Sequence, residues 1–163
     1  MNILKYFIVS ILLFPIAASS ENSVQIDYIG SYTKLRFSKE HAYISEVWLW
    51  QRKDQIIGLY INGSALQGDP YYYTINLIEN TTGNIGQNFS FNTKYFKFTG
   101  KFNPPIIEGL LTQGSEIIWG GIEGSNVITL TKGTSITKIK NPEGSYKTYS
   151  SWLNWVDTLN ELH

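Results

Sequence analysis

The residues of this chain that could do chemistry are two glutamates, several tryptophans and tyrosines, and one internal histidine. Glu46 shares alternate positions with Trp48 and Trp50, so all three side chains would share one face of a strand. Glu108 lies in a later apolar stretch. Two carboxylates that face an enclosed interior could act as acid and base in glycoside hydrolysis, and a single one could anchor a bound ligand.

Most patterns that mark enzymes and metal sites are missing from the sequence. The chain has no cysteine and two histidines, His41 in a predicted hairpin turn and His163 at the last position. Thiol nucleophiles, thiolate metal sites and disulfides are therefore excluded. No nucleophile elbow, metal-ligand spacing or phosphate-binding glycine loop occurs. We predict a protein that is not an enzyme and that uses no cofactor or metal.

Aromatic residues are the strongest signal, because phenylalanine, tryptophan and tyrosine make up 15% of the chain. An inward-facing aromatic set either fills a core or lines a pocket. Tyr71 and Tyr73 follow Gly68-Asp69-Pro70, which predicts that they lie near the end of a barrel. The predicted ligand-binding residues are Trp48, Trp50, Tyr71, Tyr73, Phe98, Glu108 and Trp119. Glu108 would be the polar contact of this site.

Short β-strands must position these residues, because apolar and polar side chains alternate over most of residues 24–132. Glycine, asparagine and proline separate the segments. The predicted strands are 24–37, 42–52, 55–62, 71–79, 85–92, 95–102, 106–112, 115–121 and 126–132. The spacing changes after Lys140, where Tyr146, Tyr149, Trp152, Leu153, Val156, Leu159 and Leu162 recur at helical steps. This stripe predicts a helix over 147–161, packed outside the sheet or across one end, with Ser145, Thr148 or Ser150 as its cap.

The lengths of the predicted loops assign strand faces, because a shift of one residue turns every side chain to the other face. The predicted pairs are Phe91–Phe96, Phe89–Phe98, Phe98–Leu110, Glu108–Trp119, Trp119–Leu130, Ile75–Phe89 and Tyr73–Phe91. One apolar face then runs through consecutive strands. This predicts a mainly β fold, an antiparallel up-and-down barrel of eight to nine strands with one C-terminal α-helix, or alternatively a β-sandwich.

The loop that follows Trp50 decides where the two tryptophans point. A loop of two or four residues sets Trp50 opposite Ile57 and Trp48 opposite Leu59, which we predict to be inward. A three-residue loop would turn both rings outward, where they would need a partner or the C-terminal helix to cover them.

The first twenty residues have the layout of a secretory signal. Lys5 precedes an apolar run over 6–16 and small residues follow, which predicts cleavage between Ala18 and Ser20. Residues 21–163 would then form a single domain without an integral membrane segment, in the periplasm or outside the cell. The whole chain has 13 basic and 13 acidic residues and no basic cluster, so nucleic acid is not an expected partner.

Gly30-Ser31-Tyr32 near the first strand, the succession of short hairpins and the C-terminal helix resemble the calycin group of small secreted barrels, such as lipocalins and avidins. Tyr32 stands where the lipocalin Gly-x-Trp motif has tryptophan. The resemblance implies a ligand-binding barrel. We therefore expect a non-catalytic binding protein for a small apolar or aromatic-stacking ligand in or at the mouth of the barrel. The alternative is a protein-interaction module, such as a periplasmic inhibitor or toxin-immunity protein, acting through its loops.

Overall fold

The computed structural model describes residues 24–66, 69, 72–113, 125–135, 137 and 144–160. The predicted signal segment and the predicted strand 115–121 lie outside the described residues, as do Tyr71 and Trp119. Within the described part of the chain, no helix is long and apolar enough to cross a membrane.

The fold is mainly β, with nine antiparallel strands in one curled, half-barrel sheet and a single C-terminal helix, as the sequence predicts. The strands are β1 (Ile26–Phe37), β2 (His41–Arg52), β3 (Gln55–Leu66), β4 (Tyr72–Leu77), β5 (Asn80–Thr82), β6 (Asn88–Asn92), β7 (Phe96–Asn103), β8 (Ile106–Gln113) and β9 (Ser125–Gly133). The helix α1 is Tyr149–Asn160.

The order of strands across the sheet is β4-β3-β2-β1-β9-β8-β7-β6-β5. Strands that follow one another in the chain therefore pair with one another in the sheet, except β4 and β5, which form its two edges, and β9, which pairs with both β8 and β1. The short segment between β4 and β5 contacts both sides. Ile78 donates its backbone N–H to Gly58 of β3, and Glu79 donates to Asn92 of β6. The chain itself thus connects the two edges of the curled sheet.

Several predicted pairings are wrong, because the turns lie elsewhere. Ile75 and Tyr73 of β4 pair with Ile61 and Gly63 of β3 rather than with the phenylalanines of β6. Phe91 pairs with Phe98, because a turn closed by a Thr93–Phe96 hydrogen bond moves the hairpin register by two residues. That shift preserves the face, so the phenylalanines still point inward.

The β7–β8 hairpin differs by a single residue, which reverses the face of β8. Asn103 pairs with Ile106, so the loop contains only Pro104 and Pro105, one residue fewer than predicted. Phe98 consequently lies opposite Leu111 instead of Leu110. The predicted inward orientation of Glu108 and Leu110 is therefore wrong, and both are exposed.

Both faces of the first strands are apolar, and each face packs against a different part of the molecule. The concave face holds one core cluster, to which strands from both halves of the sheet contribute. The convex face of β1 to β4 holds a second cluster, which α1 covers. Thr148 caps this helix, since its hydroxyl accepts the N–H of Ser151 at 3.1 Å and Ser151 Oγ accepts the N–H of Thr148 at 3.2 Å.

Candidate functional site

The structure does not bring the predicted ligand-binding residues together. Trp48, Trp50 and Tyr73 lie on the convex face beneath the helix. Phe98 lies on the concave face, where it is fully buried. Glu108 is exposed on the opposite, convex face, and Tyr71 and Trp119 lie outside the described residues.

Trp48 and Trp50 form the surface on which α1 docks, which corrects their predicted inward orientation. The loop after them has two residues, and the predicted pairs Trp48–Leu59 and Trp50–Ile57 are formed. These pairs nevertheless face outward. Trp48 stacks on Trp155 with ring centroids 6.1 Å apart, and Trp50 meets Trp152 edge-on at 5.6 Å. Both strand tryptophans are fully buried, so they hold the helix and do not line a barrel pocket.

Glu46 belongs to this outer cluster and not to a pair of catalytic carboxylates. Its side chain is fully buried, and Oε1 accepts a hydrogen bond from the indole of Trp48. Strands β1 and β9 separate Glu46 on β2 from Glu108 on β8. Three strand spacings of about 4.8 Å put these carboxylates roughly 14 Å apart. Glycosidase pairs lie closer than about 10 Å, so the acid–base arrangement considered above is not formed.

Phenylalanine rings on β6 and β7 fill one side of the concave face. We call Phe89, Phe91, Phe96, Phe98 and Phe102 the phenyl core; all are at most 2% exposed. Phe91 and Phe98 stack with centroids 5.1 Å apart, and Phe89 contacts Phe102 at 5.4 Å. These contacts identify the interior beside β6 and β7 as packed core rather than as the wall of a cavity.

Polar side chains lie on the other side of the same face, on β1 to β4, near the end where β1 turns into β2. Alternate residues of β1, β2, β3 and β4 pair across the strands to form two rows. We call these the polar rows. The first is Lys34, Ser45, Asn62 and Thr74, and the second is Arg36, Tyr43, Ser64 and Tyr72. The next row inward is Tyr32, Val47, Tyr60 and Asn76, of which the first three belong to the concave core.

Exposure increases along these rows toward the turn between β1 and β2; we call this end of the described part of the half-barrel the open end. Ser45 and Asn62 are buried at 2% and 5% exposure, and Lys34 and Arg36 are half-buried. Tyr72 is 78% exposed at the rim. Polar groups are therefore presented at graded depth above an apolar base, as in a ligand site.

Tyr60 lies at the boundary between the phenyl core and the polar rows. Its ring packs edge-on against Phe96 with centroids 4.9 Å apart. Its buried hydroxyl lies within hydrogen-bonding reach of Ser45, and no other described residue is its partner. Burial raises the pKa of Tyr60 to about 12, while Ser45 and the positive charge of Arg36, both close to the phenol, lower it in part. The phenol is therefore a neutral donor at neutral pH.

A ligand with an acceptor atom would compete with Ser45 for the hydrogen bond of this phenol.

An amide network holds the deeper polar side chains in place. Asn76 Nδ2 donates to Asn62 Oδ1 at 3.1 Å and to the backbone oxygen of Tyr60 at 3.3 Å. This contact orients the Asn62 amide with its oxygen toward Asn76, so its NH₂ group faces away from Asn76. Arg36 lies over the ring of Tyr43 at 5.9 Å, a cation–π contact that restrains the guanidinium.

A depression lies at the opposite end of the half-barrel. It has a volume of about 420 Å³ and is lined by Asp54, Gln55, Ile56, Thr81, Gly83 and Asn84. It is open and polar, and it brings together no cation and no buried unpartnered group. Among the described residues, no cluster of histidine and acidic side chains could hold a metal ion.

Sequence reasoning missed the polar rows, although their signal is present. Lys34 and Arg36 alternate with apolar Leu35 and Phe37, and Tyr43 and Ser45 alternate with Ile44 and Glu46. The apolar members of these strands point outward at this end, which leaves the polar ones inside. Comparison with protein-family models, with curated proteins and with solved structures found no match to this chain, so the resemblance to calycins stays a prediction.

Proposed function

We propose that this chain is a non-catalytic binding protein that takes a small polar ligand at the open end of its half-barrel. The observation that carries the proposal is the pair of polar rows, in which half-buried Lys34 and Arg36 lie beside the buried side chains of Ser45 and Asn62. Of the residues expected to line an apolar pocket, Phe98 belongs to the phenyl core and Trp48 and Trp50 lie under α1. The polar character of the open end favours a polar ligand.

A thermal-shift screen with a blocking variant tests this function. Panels of sugars, amino acids, carboxylates and phosphates would be added to the wild type, to Ser64→Trp and to Thr99→Trp. Ser64 is half-buried in the second polar row, so an indole there would occupy the open end. Thr99 is exposed on the convex face of β7 and serves as the matched control.

We expect at least one compound class to raise the Tm of the wild type and of Thr99→Trp but not that of Ser64→Trp. Equal shifts in all three proteins would place binding elsewhere and contradict the proposal.

A protein-interaction module is the second candidate, because one exposed apolar patch lies on the convex face. Leu110 and Val127 are cross-strand neighbours, 44% and 79% exposed, and Phe37 on β1 is 75% exposed. Exposed apolar clusters of this kind mark interaction surfaces. A partner that binds the wild type and Ser64→Trp but not Val127→Asp would support this function over the first.

We also propose that the protein is exported, on the basis of Lys5 and the apolar run 6–16. Intact-mass measurement of protein expressed with its full sequence in a Gram-negative host tests this. Loss of the first 18 to 20 residues from the periplasmic product supports export, and uncleaved protein in the cytoplasmic fraction contradicts it.

A further inference from the structure

We propose that the ligand of the open end is a small oxyanion, carrying a carboxylate or phosphate group that binds between Arg36 and Lys34. This inference rests on the proposed function and specifies its ligand class.

The polar rows carry positive charge without an opposing charge. Lys34 and Arg36 are two residues apart on β1, so they share the concave face, and both are half-buried. None of the eight positions of the two rows is a carboxylate. Glu40 and Asp69 are exposed in the turns after β1 and β3, and Glu46 on β2 lies on the opposite, convex face beside Trp48. The described part of the chain shows no ion pair to Lys34 or Arg36.

Uncharged hydrogen-bond donors lie deeper in the site than Lys34 and Arg36. The Tyr60 hydroxyl is neutral and buried beside Ser45, and it lies close enough to Arg36 for the guanidinium to act on its ionisation. The hydroxyl of Ser45 and the NH₂ group of Asn62 lie on the adjacent row. An anion would accept from several of these groups at once, whereas a cation would meet Lys34 and Arg36 as like charges.

The Arg36 guanidinium is the group best placed to fix the orientation of an oxyanion. Its position 5.9 Å from the centre of the Tyr43 ring limits its freedom, so less entropy is lost when it binds. The planar fork of a guanidinium matches the two oxygens of a carboxylate or phosphate. Below it, the Tyr60 ring and Phe96 form an apolar base that would contact an uncharged part of the ligand.

The test is isothermal titration calorimetry with matched probes: benzoate, its uncharged isostere benzamide, and phenyl phosphate. The proteins are the wild type, Arg36→Gln, Tyr60→Phe and the control Lys97→Gln, whose lysine is exposed on the convex face. A salt series on the wild type gives a readout that needs no variant.

We expect benzoate or phenyl phosphate to bind about tenfold or more tightly than benzamide, since charged hydrogen bonds contribute at least that much. Arg36→Gln should weaken anion binding about tenfold, Tyr60→Phe less, and Lys97→Gln not at all. Raising the salt from about 0.05 M to about 0.5 M should weaken wild-type binding, because the contact is partly exposed. Preference for benzoate over phenyl phosphate, or the reverse, identifies the source of the oxyanion.

Equal binding of benzoate and benzamide to the wild type, with no effect of Arg36→Gln or salt, would overturn the oxyanion inference. Neutral probes that bind the wild type but not Ser64→Trp would in that case leave the open end as a binding site. If no probe of any charge distinguishes the wild type from Ser64→Trp, the proposed function itself is contradicted.

Discussion

Truncation of Trp152 should remove much of the energy that holds α1 on the sheet. Trp152 is fully buried and lies 5.6 Å from both Trp50 and Tyr149, measured between ring centroids. A buried tryptophan covers about 150–250 Å², which at about 25 cal/mol per Å² corresponds to roughly 4–6 kcal/mol. Alanine retains a small part of that area and leaves a cavity, so Trp152→Ala should lower the free energy of unfolding by about 3–5 kcal/mol.

Urea unfolding followed by far-UV circular dichroism measures this loss. The matched control is Asn154→Ala, an exposed position on the same helix, which should change stability by less than about 0.5 kcal/mol. Emission from Trp48 and Trp50 gives a second readout, because undocking of the helix would expose both indoles and shift their emission to the red. If Trp152→Ala stays within about 1 kcal/mol of the wild type with unchanged emission, the docking of α1 on the two tryptophans is refuted.

The remaining predictions concern the cap, the glycine contact in the phenyl core and the buried phenol. Thr148→Ala should cost about 1 kcal/mol by removing the helix cap, and helicity measured by circular dichroism should fall, whereas Thr148→Ser should retain both. Gly109→Ala should destabilise by more than about 1 kcal/mol in thermal melts, because a Cβ there would lie 2.4 Å from Thr99 O and 2.8 Å from the Phe98 ring; an unchanged Tm would contradict this contact. The folded-state pKa of Tyr60, raised to about 12, lies above the value of 10 expected in the unfolded chain. As pH rises from 10 to 12, Tyr60 should therefore lose about 2 kcal/mol of its stabilising contribution, in addition to the losses from Tyr32 and Tyr146, whose pKa values burial also raises. Tyr60→Phe should lose about 2 kcal/mol less than the wild type over this range, and parallel pH profiles would contradict the assignment.

The limits of most described elements were accessible from the sequence, because glycine, proline and asparagine separate short alternating runs. The exceptions are β5 (Asn80–Thr82), which forms between the predicted strands 71–79 and 85–92, and β3, which continues to Leu66 beyond the predicted end at 62. The predicted helix 147–161 matches Tyr149–Asn160 closely, with Thr148 among its predicted caps. The residues of its predicted stripe that the structure describes pack on the sheet as expected. Local chemistry determines each of these features, so a single sequence was sufficient.

The faces of the strands were harder to predict, because alternation identifies two faces without saying which one is concave. Both faces of β2 are apolar, because Val47 and Leu49 face the concave core and the helix covers Trp48 and Trp50 on the convex side. Loop parity correctly paired Trp48 with Leu59, yet it could not assign that pair to a side. A loop one residue shorter at Pro104-Pro105 was enough to turn Glu108 outward.

The candidate site was missed because its residues are unremarkable one at a time. Ser45, Asn62 and Tyr60 become candidate site residues only when the strand register shows that they lie near Lys34 and Arg36. That register depends on long-range pairing among four strands, which no local pattern encodes.

Chemical-shift mapping tests most directly whether the open end is the binding site. Two-dimensional ¹H–¹⁵N spectra would be recorded while the tightest-binding compound of the thermal-shift screen is titrated into the wild type. The account predicts that the largest changes fall on amides of the polar rows, around Arg36, Tyr43, Ser45 and Asn62, and on Tyr60 below them. Changes confined to α1, or to the exposed patch around Leu110 and Val127, would contradict it.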